Sequence, residues 1–357
     1  MKAAVLNAFG TRLVVETVPD PIAGVGDVVV EVAASRVLAY MGEVLSGQRQ
    51  YPLELPLVPG PGAIGRIKSV GPDATRLGLG DWVYVDPTVR SRDNTVSPDI
   101  ILQGLIAPGE AVRNLHRHYH DGSWAQLMRV PTENVIGIGA IETADAARWC
   151  AMGSLLVPYG GLLAINLAAG ETVLVNGATG AFGSAGVAVA LAMGAGLVIA
   201  TGRNDAILKE LGRRYGTRVR TVKFTGNEVD DRAAMMKSGP IDCVLDILPP
   251  AADPTWARAA VLAVRPYGRV ALMGGIGGQG AGGLELPYPW LMRNCITIKG
   301  QWMYPRDAIR RMVGMIRGDL LDFRHYRTTT FPLDEVNEAV AYAAAHAGPF
   351  QQTVLCP

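Results

Sequence analysis

The 357-residue chain reads as an α/β protein in which a doubly wound parallel sheet accompanies a second, β-rich domain. Three observations predict this. From about residue 150 onward, apolar strand-like runs alternate with helical segments, which is the pattern of βαβ units around a parallel sheet. Before that point, short runs rich in Val and aromatic residues are separated by Gly-Asp and Gly-Pro turns, as in a small irregular barrel or sandwich. Finally, the stretch VNGATGAFGSAG, residues 175–186, places four glycines in twelve positions directly after the apolar run TVLV. Glycine at that density marks a tight turn or a backbone that something approaches closely.

The elements follow in order. Residues 2–6 and 13–18 predict a hairpin, and residues 28–33, 63–70, 82–85 and 124–130 predict further strands. In the second part, strand-like runs begin at Thr172, Leu197, Arg218, Asp242 and Arg269. Helices are expected between them over 182–193, 205–215, 231–236 and 254–264. A sixth strand over 296–301 follows the loop GGIGGQGAGG. Helices near 307–316 and 333–345 and a strand over 353–356 close the chain.

Composition bounds the function. Hydrophobic residues make up 49% and charged residues 18%, a globular balance. A net charge of +1 provides no large field for nucleic acid or an anionic membrane. Cys150, Cys243, Cys295 and Cys356 form no CxxC pair and no disulfide framework, so a reducing, cytoplasmic setting is expected. The N-terminal apolar run breaks at Asn7 and Gly10 and does not read as a signal peptide. Residues 182–202 carry no charge and have the length of a membrane span. Gly194 and Gly196 interrupt them, and they read as a buried helix, a turn and a buried strand.

In a doubly wound sheet, a glycine-rich turn after the first strand is where a dinucleotide pyrophosphate rests on a helix N-terminus. The spacing Gly177, Gly180, Gly183 is GxxGxxG, so Ala178 or Thr179 stands where a glycine is common. The candidate cradle is Gly177, Ala178, Thr179, Gly180, Ala181, Phe182 and Gly183; the alternative is a tight turn with no ligand. No GxxxxGK[ST] occurs, and Ser184 is not in a GxSxG elbow. The second strand ends VIATGRND, with Thr201, Gly202, Arg203 and Asn204 as cofactor candidates. Gly202 stands where NAD-binding sheets keep an acid for the ribose, and the Arg203 guanidinium suits a ribose phosphate. The pattern favours NADPH over NADH. A second reading of Arg203 is an ordinary solvated residue at a helix start. Asp205 reads as the cap of the helix that follows. Gly274 and Gly275, at the end of the fifth strand, complete the cofactor set.

PLVPGPGAIGRIKSVG (56–71), LGLGDWVYV (77–85), GSWAQLMRVPTENV (122–135), the glycine-rich turn and GRVALMGG (268–275) together resemble the medium-chain dehydrogenase/reductase superfamily, along nearly the whole chain. The resemblance implies a GroES-like catalytic domain over 1–150, completed by 304–357, a Rossmann domain over 151–303, and an active site in the cleft between them. It also points to a homodimer, as does the apolar edge run CITIKGQWMY. Zinc-dependent alcohol dehydrogenases of this superfamily carry a GHE motif where Pro61 and Gly62 take the His and Glu places here. Their first ligand cysteine falls near Leu38. Leucine and proline cannot ligate zinc, and residues 86–123 hold no cysteine for a structural zinc. The chain therefore looks like the zinc-free branch, similar to quinone oxidoreductases and enone reductases, and no metal is expected. It departs from that branch at Leu38, where asparagine is frequent. His116, His118 and His120 alternate, so a strand would put all three on one face and could bind metal. The charges around them favour a loop before a strand instead.

Without zinc, a substrate oxygen needs a hydrogen-bond donor. The zinc enzymes keep a hydroxyl two residues after the first ligand cysteine, which here is Tyr40. The phenol could serve a carbonyl or enolate oxygen; the alternative is a core or cleft-lining tyrosine. Leu38, Tyr51, Trp124 and Trp302, with Tyr304, are the expected pocket, whose aromatic walls suit a small, flat, apolar carbonyl or enone. Three functions are consistent with the sequence. They are an NADPH-dependent reductase of activated C=C bonds or quinones, a zinc-free reductase of ketones, aldehydes or imines, and a non-enzymatic NADPH-binding protein.

Overall fold

The computed structural model describes residues 1–93, 96–277 and 282–357, and the chain forms two compact units. The first comprises Met1–Ala151, Phe323–Ala347 and Gln351–Pro357; the second comprises Met152–Asp322 and Gly348–Phe350.

The first unit opens with the antiparallel hairpin β1 (Lys2–Val5) and β2 (Val14–Thr17). The long strand β3 (Asp27–Val37), the short helix α1 (Met41–Leu45), and the strands β4 (Ala63–Val70) and β5 (Trp82–Val85) follow. A lobe of β6 (Thr88–Arg90), β7 (Ile100–Leu102) and α2 (Arg113–His118) comes next, then β8 (Leu127–Pro131), β9 (Val135–Gly137) and α3 (Ala146–Trp149). Along β3, Val28, Val30 and Val32 point inward at a period of two. They bury against Ala63 and Ile67 of β4, Val83 and Val85 of β5, and Met128 and Val130 of β8. This forms the barrel core, while Glu31 faces solvent between the valines.

The second unit begins with α4 (Met152–Ala164) and runs through β10 (Thr172–Asn176), α5 (Ala181–Ala192), β11 (Leu197–Gly202), α6 (Asp205–Tyr215), β12 (Val219–Lys223), α7 (Glu228–Lys237), β13 (Cys243–Asp246), α8 (Pro254–Leu262), β14 (Arg269–Leu272), α9 (Tyr288–Arg293), β15 (Thr297–Gly300) and α10 (Asp307–Arg317). The six strands lie in the order β12-β11-β10-β13-β14-β15, all parallel. Strand order therefore reverses between β10 and β13, and in such sheets ligands bind beside the carboxyl ends at that switch point. Leu174 of β10, Ile199 of β11 and Val244 of β13 are fully buried, which is why these strands read as continuous apolar runs. The charge-free stretch 182–202 is α5, a turn and β11, and no helix among the described residues is long and apolar enough to cross a membrane.

The chain then returns to the first sheet as β16 (Arg327–Pro332), α11 (Val336–Ala345) and β17 (Gln351–Cys356), giving the order β16-β17-β3-β4-β5-β9 with β8 on the other flank of β3. Two expectations are corrected. The return begins at Phe323 rather than 304, because α10 packs on α4. The histidine stretch is only partly the expected loop, because α2 takes in His116 and His118, while His120 lies in the loop that leads to β8. Part of the loop GGIGGQGAGG, residues 278–281, lies outside the described residues.

Candidate cofactor and active site

At the end of β10 the chain turns at Gly177, whose φ of +91° disfavours any side chain. A Cβ on Gly183 would overlap the Gly177 carbonyl oxygen, so this glycine is demanded by the turn itself. Gly180 is different. It caps α5 with φ −87° and ψ 170°, a conformation open to any residue, and it is exposed. A Cβ there would meet only the Gly177 oxygen, at 3.5 Å. Among the described residues nothing requires this glycine, so it leaves an open, side-chain-free patch at the N-terminus of α5. Ala181 and Gly183 sit in that first turn, where helix N–H groups and the dipole favour an anion. Phe182, beside them, is half-buried.

The floor beneath the turn is a buried polar network that the sequence reading did not identify. Asn176 Nδ2 donates to Asp246 Oδ1 at 2.6 Å, and Thr201 Oγ1 donates to Asn176 Oδ1 at 2.8 Å. Burial pushes the Asp246 carboxyl up to about 7, and the bond from Asn176 offsets only part of this. The available signal was that three apolar strands each carry a polar residue at or next to their last position: Asn176 in TVLVN, Thr201 in VIATG and Asp246 in CVLD. Two expected contacts are corrected here. Thr201 is fully buried with its hydroxyl in this network, and Ala178 is fully buried with its N–H donated to the Thr201 oxygen at 2.8 Å. Both shape the cradle rather than line it. On the neighbouring loop, a Cβ on Gly274 would overlap the Leu248 carbonyl oxygen, and Gly275 has φ +80°.

At the end of β11, a Cβ on Gly202 would overlap the Thr179 side chain, so the turn leaves no room for an acid there. Arg203 is exposed, with its guanidinium 5.1 Å from the Trp256 ring centroid, and Trp256 in turn stacks on Phe224 at 5.2 Å. Lys223 lies in register beside Gly202 on β12 and adds a second exposed cation. The cap of α6 is Asn204, whose side chain accepts from the Ile207 N–H at 3.2 Å. This corrects the expectation for Asp205, which instead pairs with Lys209 at 2.7 Å.

In the first unit, Tyr40 stands at the N-terminal boundary of α1, half-buried, after a turn in which the Met41 N–H bonds the Leu38 oxygen at 3.0 Å. Leu38 itself is buried. Tyr51 meets Tyr40 edge-on, with ring centroids 6.5 Å apart. The guanidinium of Arg49 lies 4.0 Å from the Tyr40 ring centroid and 5.7 Å from that of Tyr51. Burial raises the Tyr40 phenol above its ordinary value and Tyr51 adds to this, while Arg49 and Arg36 oppose it. The structure thus brings together Leu38, Tyr40 and Tyr51. Trp124 is corrected to a core residue, fully buried with its indole N–H on the Arg36 oxygen at 3.4 Å. Tyr304 is likewise buried, against the backbone of Gly160 in α4. Trp302 is 45% exposed and belongs to the second unit.

At the positions corresponding to the zinc enzymes' GHE motif and first ligand cysteine, local packing leaves no ligand. Gly62 has φ +73°, and a Cβ on it would come within 2.7 Å of the Val85 oxygen. Its carbonyl accepts from Ser123 Oγ at 2.7 Å. A carboxylate side chain has no room there, and Leu38 and Pro61 offer no ligand atom. Among the described residues, no group of three or more His, Cys, Asp or Glu is placed to hold a metal. His116 is buried 4.8 Å from the His120 ring, and His120 Nδ1 lies 3.0 Å from Asp121 Oδ1. His118 packs edge-on against Tyr119.

Comparison with known proteins identifies the family. Residues 24–140 match the alcohol dehydrogenase GroES-like domain, and residues 181–317 match the zinc-binding dehydrogenase family. The chain belongs to the medium-chain dehydrogenase/reductase superfamily, with a GroES-like domain and a Rossmann-type sheet. It is 30% identical over 204 residues to the acryloyl-coenzyme A reductase of Metallosphaera sedula, covering 56% of this chain and 58% of that protein. It is 31% identical over 217 residues to an alcohol dehydrogenase of Geobacillus stearothermophilus, covering 60% and 62%. The matched region is thus less than two thirds of the length of these relatives. A Sinorhizobium meliloti structure of the zinc-binding dehydrogenase type, bound to NADP, superposes with a TM-score of 0.80 at 19% identity, covering 100% of this chain and 99% of that one.

Proposed function

We propose that the chain is a zinc-independent, NADPH-dependent oxidoreductase that reduces an activated C=C bond or a quinone. The observation that carries the zinc-independent part is Gly62, left-handed and packed on Val85, with Leu38 and Pro61 at the other ligand places. The bare patch at Gly180 supports a dinucleotide, and Arg203 with Lys223 beside an acid-free Gly202 supports a 2′-phosphate. Similarity to an acryloyl-coenzyme A reductase supports an enone-type substrate.

A bound reduced nicotinamide supplies the hydride. The residues of the chain do the rest. Ala181 and Gly183 hold the pyrophosphate at the helix terminus, Arg203 holds the ribose phosphate, and Tyr40 donates a hydrogen bond, or its proton, to the substrate oxygen as negative charge grows there. That same donor favours a second reading, in which the substrate is a simple ketone or aldehyde whose oxygen needs the proton. A panel of quinones, enones and ketones, followed by NADPH absorbance, separates these readings. Turnover of enones or quinones well above ketones supports the first, the reverse order supports the second, and no turnover alongside tight NADPH binding refutes both. Tyr40→Phe keeps the ring and removes the hydroxyl, so kcat should fall by about two orders of magnitude while NADPH still binds.

A further inference from the structure

Tyr40 has an unusual neighbour. Arg49 follows α1 in a loop that folds back on the helix. Gly47 and Gln50 take positive φ, at +80° and +49°, and the Arg49 N–H bonds the Glu43 carbonyl oxygen at 3.0 Å. This pins the Arg49 backbone to the same helix that Tyr40 starts. The side chain is only 12% exposed. It extends to the Tyr40 ring, with the guanidinium carbon 4.0 Å from the centroid, closer than to Tyr51 at 5.7 Å. Its Nε lies 3.4 Å from Glu43 Oε2, a carboxylate 46% exposed and therefore solvated. Cation–π attraction to a neutral phenol is modest at exposed sites and grows when the pair is desolvated. The attraction also grows when the ring becomes a phenolate, because the cation then faces a full negative charge.

We infer that Arg49 is the positioning residue for the Tyr40 proton: its guanidinium, fixed over the phenol ring, stabilises the phenolate left when that proton moves to the substrate oxygen. The inference rests on the reading of Tyr40 as donor. In the step, a bound reduced nicotinamide would supply hydride to the substrate carbon, and the electron pair of the reduced bond would move toward oxygen. The Tyr40 O–H bond breaks as the new O–H bond forms. The phenolate then recovers a proton from water. The groups that bear on Tyr40 are Arg49 from the loop, Arg36 from β3, Glu43 from α1 and the Tyr51 phenol. Arg49 favours the phenolate most, with Arg36 beside it, whereas burial, Tyr51 and Glu43 oppose it. Glu43 alone could not replace Arg49, because its charge has the wrong sign.

The test reads the phenol directly. A trifluorotyrosine incorporated at position 40 titrates several units below tyrosine, so its ionisation can be followed by fluorine NMR in the cofactor-free protein. Arg49→Met should move that titration up by about one unit or more, and Arg49→Lys should restore most of the shift. In turnover, Arg49→Met should lower kcat by about tenfold with KM changed less than about twofold, and it should have no further effect in a Tyr40→Phe background. A titration unmoved by Arg49→Met overturns the inference, whatever role Tyr40 has. So does a further loss in the double variant, which would place Arg49 on the substrate itself. Wild-type turnover in Tyr40→Phe alone overturns the reading of Tyr40 beneath it, and the fluorine titration tells the two failures apart.

Discussion

Gly180 and Gly183 lie three residues apart in one turn, yet substitution by alanine should have opposite consequences. At Gly183 a Cβ would overlap the carbonyl of Gly177, carbonyl carbon included, and the Cα of Ala178. These are backbone atoms that cannot step aside. Overpacking of that kind costs about 1–3 kcal/mol. For a unit of this size that lowers the melting temperature by about 2–4 °C per kcal/mol. At Gly180 the nearest atom is 3.5 Å away, an ordinary contact. Alanine is a poorer cap than glycine by under about 1 kcal/mol. It also restricts the unfolded chain, which stabilises by about 0.4–1 kcal/mol. The two terms nearly cancel, so Gly180→Ala should melt within about 2 °C of the wild type. Its methyl would nonetheless stand where a pyrophosphate must approach the helix terminus. Loss of one hydrogen bond to a charged group is worth about 1.5–3 kcal/mol, or about tenfold to more than a hundredfold in Kd. Thermal melts and fluorescence titration with NADPH, run on both variants, give the two numbers. A Gly180→Ala protein that melts normally and binds NADPH as tightly as the wild type refutes the argument that this glycine is kept bare for a cofactor.

Other expected outcomes concern specificity, pH and assembly. Arg203→Ala should weaken NADPH by about tenfold to a hundredfold and leave NADH nearly unchanged, by the same magnitude for a charged hydrogen bond; equal losses in Kd for both cofactors would show Arg203 to be structural. Asp246 is pushed up to about 7, above its unfolded value, so its buried ionisation destabilises the fold progressively from about pH 4 to about pH 7 and fully above that. Asp246→Asn keeps an oxygen acceptor for Asn176 and should therefore raise the melting temperature at pH 8 while changing it little at pH 4; an equal shift at both would contradict the assignment. Among the described residues the exposed strand β15 ends the second sheet, paired with β14 on one side, and its other edge is the expected site for a second copy. Light scattering should give a mass of about twice 37.8 kDa at micromolar concentration, and a monomeric mass would rule the dimer out.

The parallel sheet was legible because its strands are short apolar runs punctuated by glycine, and β10, β11 and β14 begin at the residues expected. Helix α4 was hidden. Pro158, Gly160 and Gly161 are poor helix residues, yet the two glycines let α4 lie against Met303, Tyr304 and Met273, where a Cβ would collide. Tertiary packing overrode local propensity there. The lobe of β6, β7 and α2 was hidden because three-residue strands and a six-residue helix carry too little period to detect. At the candidate site, single positions such as Arg203 and Tyr40 could be read from spacing. Asn176, Asp246, Trp256 and Arg49 could not, because their roles come from partners brought in by the fold: Asn176 and Asp246 lie seventy residues apart. Trp124 was misread for the same reason: it lies just before β8, and only the folded chain shows that it packs into the core.

The central claim is reduction without zinc, and metal removal tests it most directly. The purified protein would be stripped with a strong chelator, its zinc content measured, and its turnover of the best enone or quinone compared with that of the same sample after zinc is restored. With Leu38, Pro61 and Gly62 at the ligand places, the stripped protein should keep full NADPH-dependent turnover, and added zinc should change nothing. Activity that disappears with the metal and returns with one equivalent of zinc per chain would contradict the account.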